Sequence, residues 1–160
     1  MRSLNWNDSD VRDYTIVTLS SPWNFEYNDL KSYAKFLKNF YSYQPTIVVS
    51  ILDNILEDIR INLEMDNFEF NQRRLAIIKL FSECFVNRLF DVNVIFQILY
   101  LLITFGINYD DPAQSTMDFS TSLMRIRLVA SILKSCGNIL HKISKKPFDF
   151  FLLFYQVCYF

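Results

Sequence analysis

The chain has 160 residues, of which 51% are hydrophobic and 17% aromatic, and its formal net charge is −1. This composition predicts one globular domain over residues 1–160 and excludes a disordered chain. A net charge so close to zero also excludes an overall positive field that would attract nucleic acid.

Apolar residues at helical spacing, together with capping residues, predict seven helices. Asp8 or Ser9 is the expected N-cap of the first helix, and Gly137 is expected to stop the sixth. No Asn-Gly or Asp-Gly hairpin dipeptide occurs, so strands are poorly supported. A polar loop, Tyr109–Asp118, separates the fifth and sixth helices. The predicted ranges are Asp8–Ser20, Asn28–Tyr43, Pro45 to about Glu64, Asp66 or Asn67 to about Leu89, Asp91 to Gly106, Phe119 to Ser135, and Pro147 to the end.

Short connections between these helices predict that sequential helices are antiparallel neighbours. The expected architecture is therefore all-α, a HEAT-like α-solenoid of stacked helical hairpins. The longest apolar run, Val94–Ile107, is too short to span a membrane, and the polar N-terminus predicts no signal peptide. The apolar ending FDFFLLFYQVCYF is unusual for a chain terminus and suggests a segment of a larger protein.

Residues that could carry catalysis or bind a metal are sparse. The three cysteines (Cys84, Cys136 and Cys158) have no CxxC spacing, which is typical of reduced core thiols in an intracellular protein. His141 is the single histidine, and no glycine-rich phosphate loop exists. We therefore expect no enzyme activity, no metal and no cofactor.

The third predicted helix divides into two stripes on a helical wheel. Its core stripe comprises Val48, Leu52, Ile55, Leu56, Ile59 and Leu63. A second stripe beside it comprises Asp53, Glu57, Arg60 and Glu64, at spacings of four, three and four. Ile61 is expected to be exposed near these acids. This second stripe is either a solvated helix face or a docking surface for a basic protein, in which Arg60 would fix the orientation of the partner.

Three other groups of basic residues are candidates for contacts. Arg73 and Arg74 in FNQRR could contact phosphates, but pairing with Glu57, Asp58 or Glu69 on a neighbouring helix is the favoured interpretation. Arg125 and Arg127 fall on different sides of a helix and do not form one patch. The cluster of Lys142, Lys145 and Lys146 is either a solubilising loop or a weak RNA contact.

Several stretches in colinear order resemble one family. They are LNWNDSDVRDY, PWNFEYND, LDNILEDIRINLE, FNQRRLA, VIFQILY with ITFGIN, and LMRIRLVASILKSCG. Together they resemble the third middle-of-initiation-factor-four-gamma domain of the up-frameshift-two family (called Nmd2 in fungi), scaffolds of nonsense-mediated mRNA decay. The resemblance covers nearly the whole chain.

The resemblance implies a fold of stacked antiparallel hairpins and a function as a protein-binding scaffold. It implies that the domain binds the RNA-recognition-motif domain of up-frameshift protein three through Asp53, Glu57, Arg60 and Glu64, and leaves Asp58 as an ordinary surface acid. It also implies that the helicase partner, up-frameshift protein one, binds outside this segment. We expect a monomer that is cytoplasmic or perinuclear, with no membrane contact.

Overall fold

The computed structural model describes Trp6 and residues 8–65, 68–105 and 124–159, except the side chains of residues 68 and 157–159. Within these ranges the regular structure consists of seven α-helices and two short 3-10 turns, without a strand. This confirms the all-α class. The helices are α1 (Ser9–Leu19), α2 (Leu30–Tyr41), α3 (Pro45–Glu64), α4 (Asn71–Val86), α5 (Val92–Thr104), α6 (Met124–Ile143) and α7 (Lys145–Tyr159).

Three helix starts lie where local chemistry predicted them. The Asp8 carboxylate caps α1 by accepting a hydrogen bond from the Asp10 backbone N–H at 3.0 Å. The Asp91 carboxylate caps α5 by accepting from the Asn93 N–H at 3.3 Å. Pro45 is the first residue of α3, where its missing N–H has no intrahelical partner to lose.

The predicted stop at Gly137 was wrong, because α6 continues to Ile143. A single glycine inside a helix costs only about 1 kcal/mol relative to alanine. Burial of Cys136 and Leu140 on the two sides of Gly137 offsets that cost. Ser144 separates the two helices. α7 begins at Lys145, two residues before the predicted Pro147.

Three other predicted boundaries also differ, including the end of α2, which is at Tyr41 instead of Tyr43. α2 begins at Leu30 instead of Asn28, because the residues just before it form a turn. α4 ends at Val86 instead of Leu89 because Arg88 adopts a left-handed conformation with φ of 61°. The Leu89 N–H then bonds the Cys84 carbonyl at 3.0 Å, and the Arg88 N–H bonds the Phe85 carbonyl at 2.8 Å. This is a Schellman cap with arginine where glycine is usual.

The predicted caps Asp66 and Asn67, the helix end at Gly106, the loop Tyr109–Asp118 and the sixth-helix start at Phe119 lie outside the described residues.

α4 is the central helix of the stack. It packs against α2, α3, α5 and α6, while α1 packs against α3 and α7 packs against α5 and α6. Phe81 on α4 and Phe151 on α7 are among the largest fully buried side chains. The result is the predicted HEAT-like helical solenoid, in which α3 lies between α1, α2 and α4 and keeps one face free.

Cys84 and Cys136 are buried free thiols, as predicted, and the side chain of Cys158 is not among those described. Burial raises the pKa of both buried thiols to about 12. Across the described part of the chain, no helix is long and apolar enough to cross a membrane.

Candidate protein-binding surface

The core stripe of α3 is buried as predicted, but it is wider than the sequence indicated. Leu56 is only half-buried, and two residues outside the predicted set, Ile47 and Ile51, are buried almost completely. The contacts of α3 with α1, α2 and α4 explain the extra width, because three neighbours cover more of a helix than one. Asn62 is also buried, and its side-chain amide donates to the Asp58 carbonyl at 2.6 Å.

Asp53, Glu57, Arg60 and Glu64 are all exposed on α3. We call these four residues the acidic stripe. Its one internal ion pair joins Arg60 Nη1 to Glu57 Oε2 at 4.0 Å, and these side chains are 65% and 63% exposed. A pair so open to water contributes at most a few tenths of a kcal/mol. All four side chains are therefore free to form new ion pairs with a partner at little cost.

An apolar patch accompanies the acidic stripe. Ile61 is 41% exposed, as predicted, and Met65, which follows the last residue of α3, is 42% exposed. A small apolar contact bordered by polar residues matches the general layout of protein–protein interfaces, in which a polar rim surrounds an apolar centre.

Asp58 is not the ordinary surface acid that the resemblance implied. Its Oδ1 lies 3.3 Å from Arg73 Nη2 on α4, and its side chain is only 21% exposed. Burial raises the pKa of the Asp58 carboxyl, and the charge and hydrogen bond of Arg73 offset part of that rise. The predicted pairing of FNQRR with acids on a neighbouring helix is thus confirmed for Arg73.

Arg74 holds the C-terminal end of α3, a role that was not predicted. Its Nε donates to the Asn62 carbonyl at 2.8 Å, and its Nη2 donates to the Met65 carbonyl. Its Nη1 also donates to Asn71 Oδ1 at 2.8 Å. An arginine that satisfies the last carbonyls of a helix stabilises that end. In the sequence, only the adjacent pair Arg73 and Arg74 indicated that basic side chains at the start of α4 could bind a neighbouring element.

Asn54, Asp58 and Asn62 are spaced by four residues and form a row beside the acidic stripe. We call them the anchoring row. Asn54 Nδ2 donates to Ser20 Oγ at 3.3 Å, Asp58 pairs with Arg73, and the Asn62 carbonyl accepts from Arg74. α3 is thereby held to the end of α1 and to α4 along the length that carries the acidic stripe.

The other basic residues do not join this surface. Lys142, Lys145 and Lys146 are exposed at the junction of α6 and α7, and RNA contact there stays a prediction. Arg125 is buried and donates to the Phe105 carbonyl at 2.5 Å, whereas Arg127 is exposed, so the two do not form one patch. Among the described residues, no group of three or more His, Cys, Asp and Glu side chains could hold a metal ion.

Comparison with known proteins relates nearly the whole chain to one family. Residues 1–158 match the MIF4G domain, named for the middle of initiation factor four-gamma. The chain is 38% identical over 157 residues to the Homo sapiens protein named regulator of nonsense transcripts 2, covering 98% of this chain and 12% of that protein. It is 30% identical over 166 residues to nonsense-mediated mRNA decay protein 2 of Schizosaccharomyces pombe, covering 100% of this chain and 15% of that protein.

A third relative is the Arabidopsis thaliana protein named regulator of nonsense transcripts UPF2, which is 29% identical over 98% of this chain and 13% of its own length. The chain thus spans between 12% and 15% of the length of these three relatives. It belongs to the MIF4G domain family, whose fold is a helical, HEAT-like solenoid.

Proposed function

We propose that this chain corresponds to the third MIF4G domain of an up-frameshift-two scaffold and acts in nonsense-mediated mRNA decay. In this role it binds the RNA-recognition-motif domain of up-frameshift protein three through the acidic stripe, with Ile61 as an apolar contact. The observation that carries the proposal is the exposure of Asp53, Glu57, Arg60 and Glu64 on one face of a single, anchored helix.

The electrostatics of the stripe support a basic partner. It contains three carboxylates and one guanidinium, and its single internal pair is weak and solvated. Complementary charge on a partner would speed association and fix the orientation of docking. Similarity to proteins named as regulators of nonsense transcripts supports the same pathway. On this proposal the domain works as a monomer in the cytoplasm or at the nuclear periphery, and the helicase binds elsewhere on the scaffold.

Calorimetry with the RNA-recognition-motif domain tests the site. Glu64→Arg reverses one charge at the exposed end of the stripe and should weaken binding by about thirtyfold or more, because mismatched interfacial charges cost about 2 kcal/mol or more. Added salt should slow association of the unmodified pair.

Asp149→Arg is the matched control. It reverses an exposed acid on α7, a helix that packs against α5 and α6, and should leave affinity unchanged. If Glu64→Arg keeps its helicity by circular dichroism and binds with unchanged affinity, the acidic stripe is not the docking site.

A further inference from the structure

α7 packs against α5 and α6 with one side and exposes large apolar side chains on the other. Phe150 is 65% exposed and Leu153 is 62% exposed. Ile143, two residues before α7, is 63% exposed and adds a third apolar side chain near the junction of α6 and α7. Neither the acidic stripe nor its proposed partner accounts for these residues, because they lie on a different helix.

The exposed and buried sides of α7 are about opposite each other. At about 100° per residue, Phe148 and Phe151 fall on one side of the helix, and Phe150 and Leu153 fall on the other. Phe151 is fully buried, and Tyr100 of α5 packs edge-on against it with ring centroids 5.5 Å apart. A helix that is apolar on both sides is usually covered on both sides. The outer side of α7 therefore has the composition of a surface that packs against another apolar element.

The hairpin of α6 and α7 is strongly basic. Residues 124–159 contain six lysine and arginine side chains and a single acid, Asp149, in a chain whose net charge is −1. Lys146 lies one helical turn before Phe150 on the same side of α7, and Lys142 and Lys145 are exposed close to it in the sequence. In the part of the chain that the structure describes, none of these three lysines forms an ion pair. The apolar side of α7 is thus bordered by positive charge that an acidic ligand would neutralise.

The exposed apolar side chains favour a protein ligand over RNA. Lysines alone would attract RNA phosphates as well as carboxylates. Single-stranded RNA gains affinity by stacking its bases on aromatic rings, and Phe150 is the one aromatic residue among the three exposed apolar side chains. Ile143 and Leu153 gain free energy only when another apolar surface removes them from water. A ligand that is both apolar and acidic complements the whole surface.

We propose that the outer side of α7 binds an acidic, amphipathic helix of a partner protein. The apolar stripe of that helix would pack on Phe150 and Leu153, as amphipathic helices do on apolar surfaces, and its carboxylates would pair with Lys146 and its neighbouring lysines. Asp149 borders the same surface and opposes binding only weakly, because it is exposed to solvent. The site is separate from the acidic stripe and stands whether or not docking occurs there.

Fluorescence anisotropy of labelled ligands, titrated with the whole chain, tests the proposal. The probe is a synthetic peptide with leucines at helical spacing and glutamates at the other positions. It is compared with a scrambled peptide of the same composition, with a matched leucine–lysine peptide, and with oligouridine. The amphipathic glutamate peptide should bind saturably, and each of the other three should bind at least about tenfold more weakly.

Variants with matched controls locate the binding. Leu153→Asp should weaken the peptide by about tenfold or more through the lost apolar contact, whereas Val17→Asp, at a 65% exposed valine on α1, should have no effect. Lys146→Glu should weaken binding about threefold or more, whereas Lys35→Glu, at an exposed lysine on α2, should not. Asp149→Arg should strengthen binding about threefold, because it replaces the one repelling charge. Circular dichroism checks that each variant keeps its helicity.

Saturable binding with these variant responses supports the proposal. Tighter binding of oligouridine than of the glutamate peptide overturns it in favour of nucleic acid. Sedimentation that shows dimers of the unmodified chain, which Leu153→Asp dissociates, overturns it in favour of a second copy of the chain. It is equally overturned if no probe binds, if the scrambled or lysine peptide binds as tightly, or if Leu153→Asp binds normally. Glu64→Arg should not alter peptide binding, so a failure of this proposal is distinguishable from a failure of docking at the acidic stripe.

Discussion

At the scale of single residues, the contrast between Glu57 and Asp58 explains how α3 is organised. Glu57 is exposed and forms a weak pair within its own helix, whereas Asp58 is largely buried and pairs with Arg73 on α4. One position along the helix thus separates a carboxylate that is free for a partner from one that holds the helix in place.

Removing the Asp58 carboxylate should destabilise the domain. In Asp58→Ala, Arg73 keeps its position over Trp23 but loses its counter-ion in a partly buried site, which should lower the free energy of unfolding by about 1–2 kcal/mol. Urea denaturation followed by circular dichroism measures the change. Asp53→Ala, on the exposed stripe, should change the free energy by less than about 0.5 kcal/mol. Equal effects of the two substitutions would contradict the anchoring role of Asp58.

Helical periodicity was sufficient to predict the acidic stripe and the exposure of Ile61, because both depend only on angular position around one helix. It could not select Asp58 as the partner of Arg73, since that depends on how α3 and α4 pack together. The role of Arg74 was missed for the same reason.

At the scale of elements, the helix boundaries show which sequence signals are decisive. Asp8, Pro45 and Asp91 were reliable because a cap or an N-terminal proline acts within one turn. Gly137 was not reliable, and the left-handed Arg88 that ends α4 was not predicted, because both break the usual association of glycine with helix ends. At Gly137, burial of the neighbouring Cys136 and Leu140 favours continuation of the helix.

Gly137 should therefore be replaceable by alanine with a gain in stability. A Cβ built there lies 3.8 Å from Leu133 Cβ and 3.9 Å from Phe148 Cζ, which are ordinary van der Waals contacts. Gly137→Ala should raise the free energy of unfolding by about 0.5–1 kcal/mol, because glycine loses more backbone entropy in a helix. Urea denaturation with the unmodified chain as reference checks this. A loss of stability would mean that α6 and α7 pack too closely for a methyl group.

At the scale of the whole molecule, the two buried thiols report on opening of the solenoid. Cys84 lies on α4 and Cys136 on α6, and both are almost fully buried. In a Cys158→Ala variant at pH 8, a thiol reagent should therefore modify the remaining cysteines only as fast as the domain opens. Rapid modification without unfolding would contradict the tight packing of α4 against α6.

The same thiols make stability depend on alkaline pH. Their pKa is 9.0 in an unperturbed chain and about 12 in the folded domain, so the unfolded chain releases their protons first. The free energy of unfolding should therefore fall as pH rises from about 9 towards 12. Urea denaturation across this range measures the slope, and Cys136→Ala should make it shallower. An unchanged slope in that variant would assign the loss of stability to other groups.

The anchoring row also has a thermodynamic consequence for docking. Because Ser20, Arg73 and Arg74 fix α3 before a partner arrives, association does not have to order its backbone. For the docking that we propose, the remaining ordering cost on this side of the complex is that of immobilising the side chains of the acidic stripe and Ile61, at about 0.5–1.5 kcal/mol each. For partners of the same charge, the association rate changes little when other contacts vary. Partners of equal charge that differ only in their fit to the stripe would therefore be sorted by how long they stay bound.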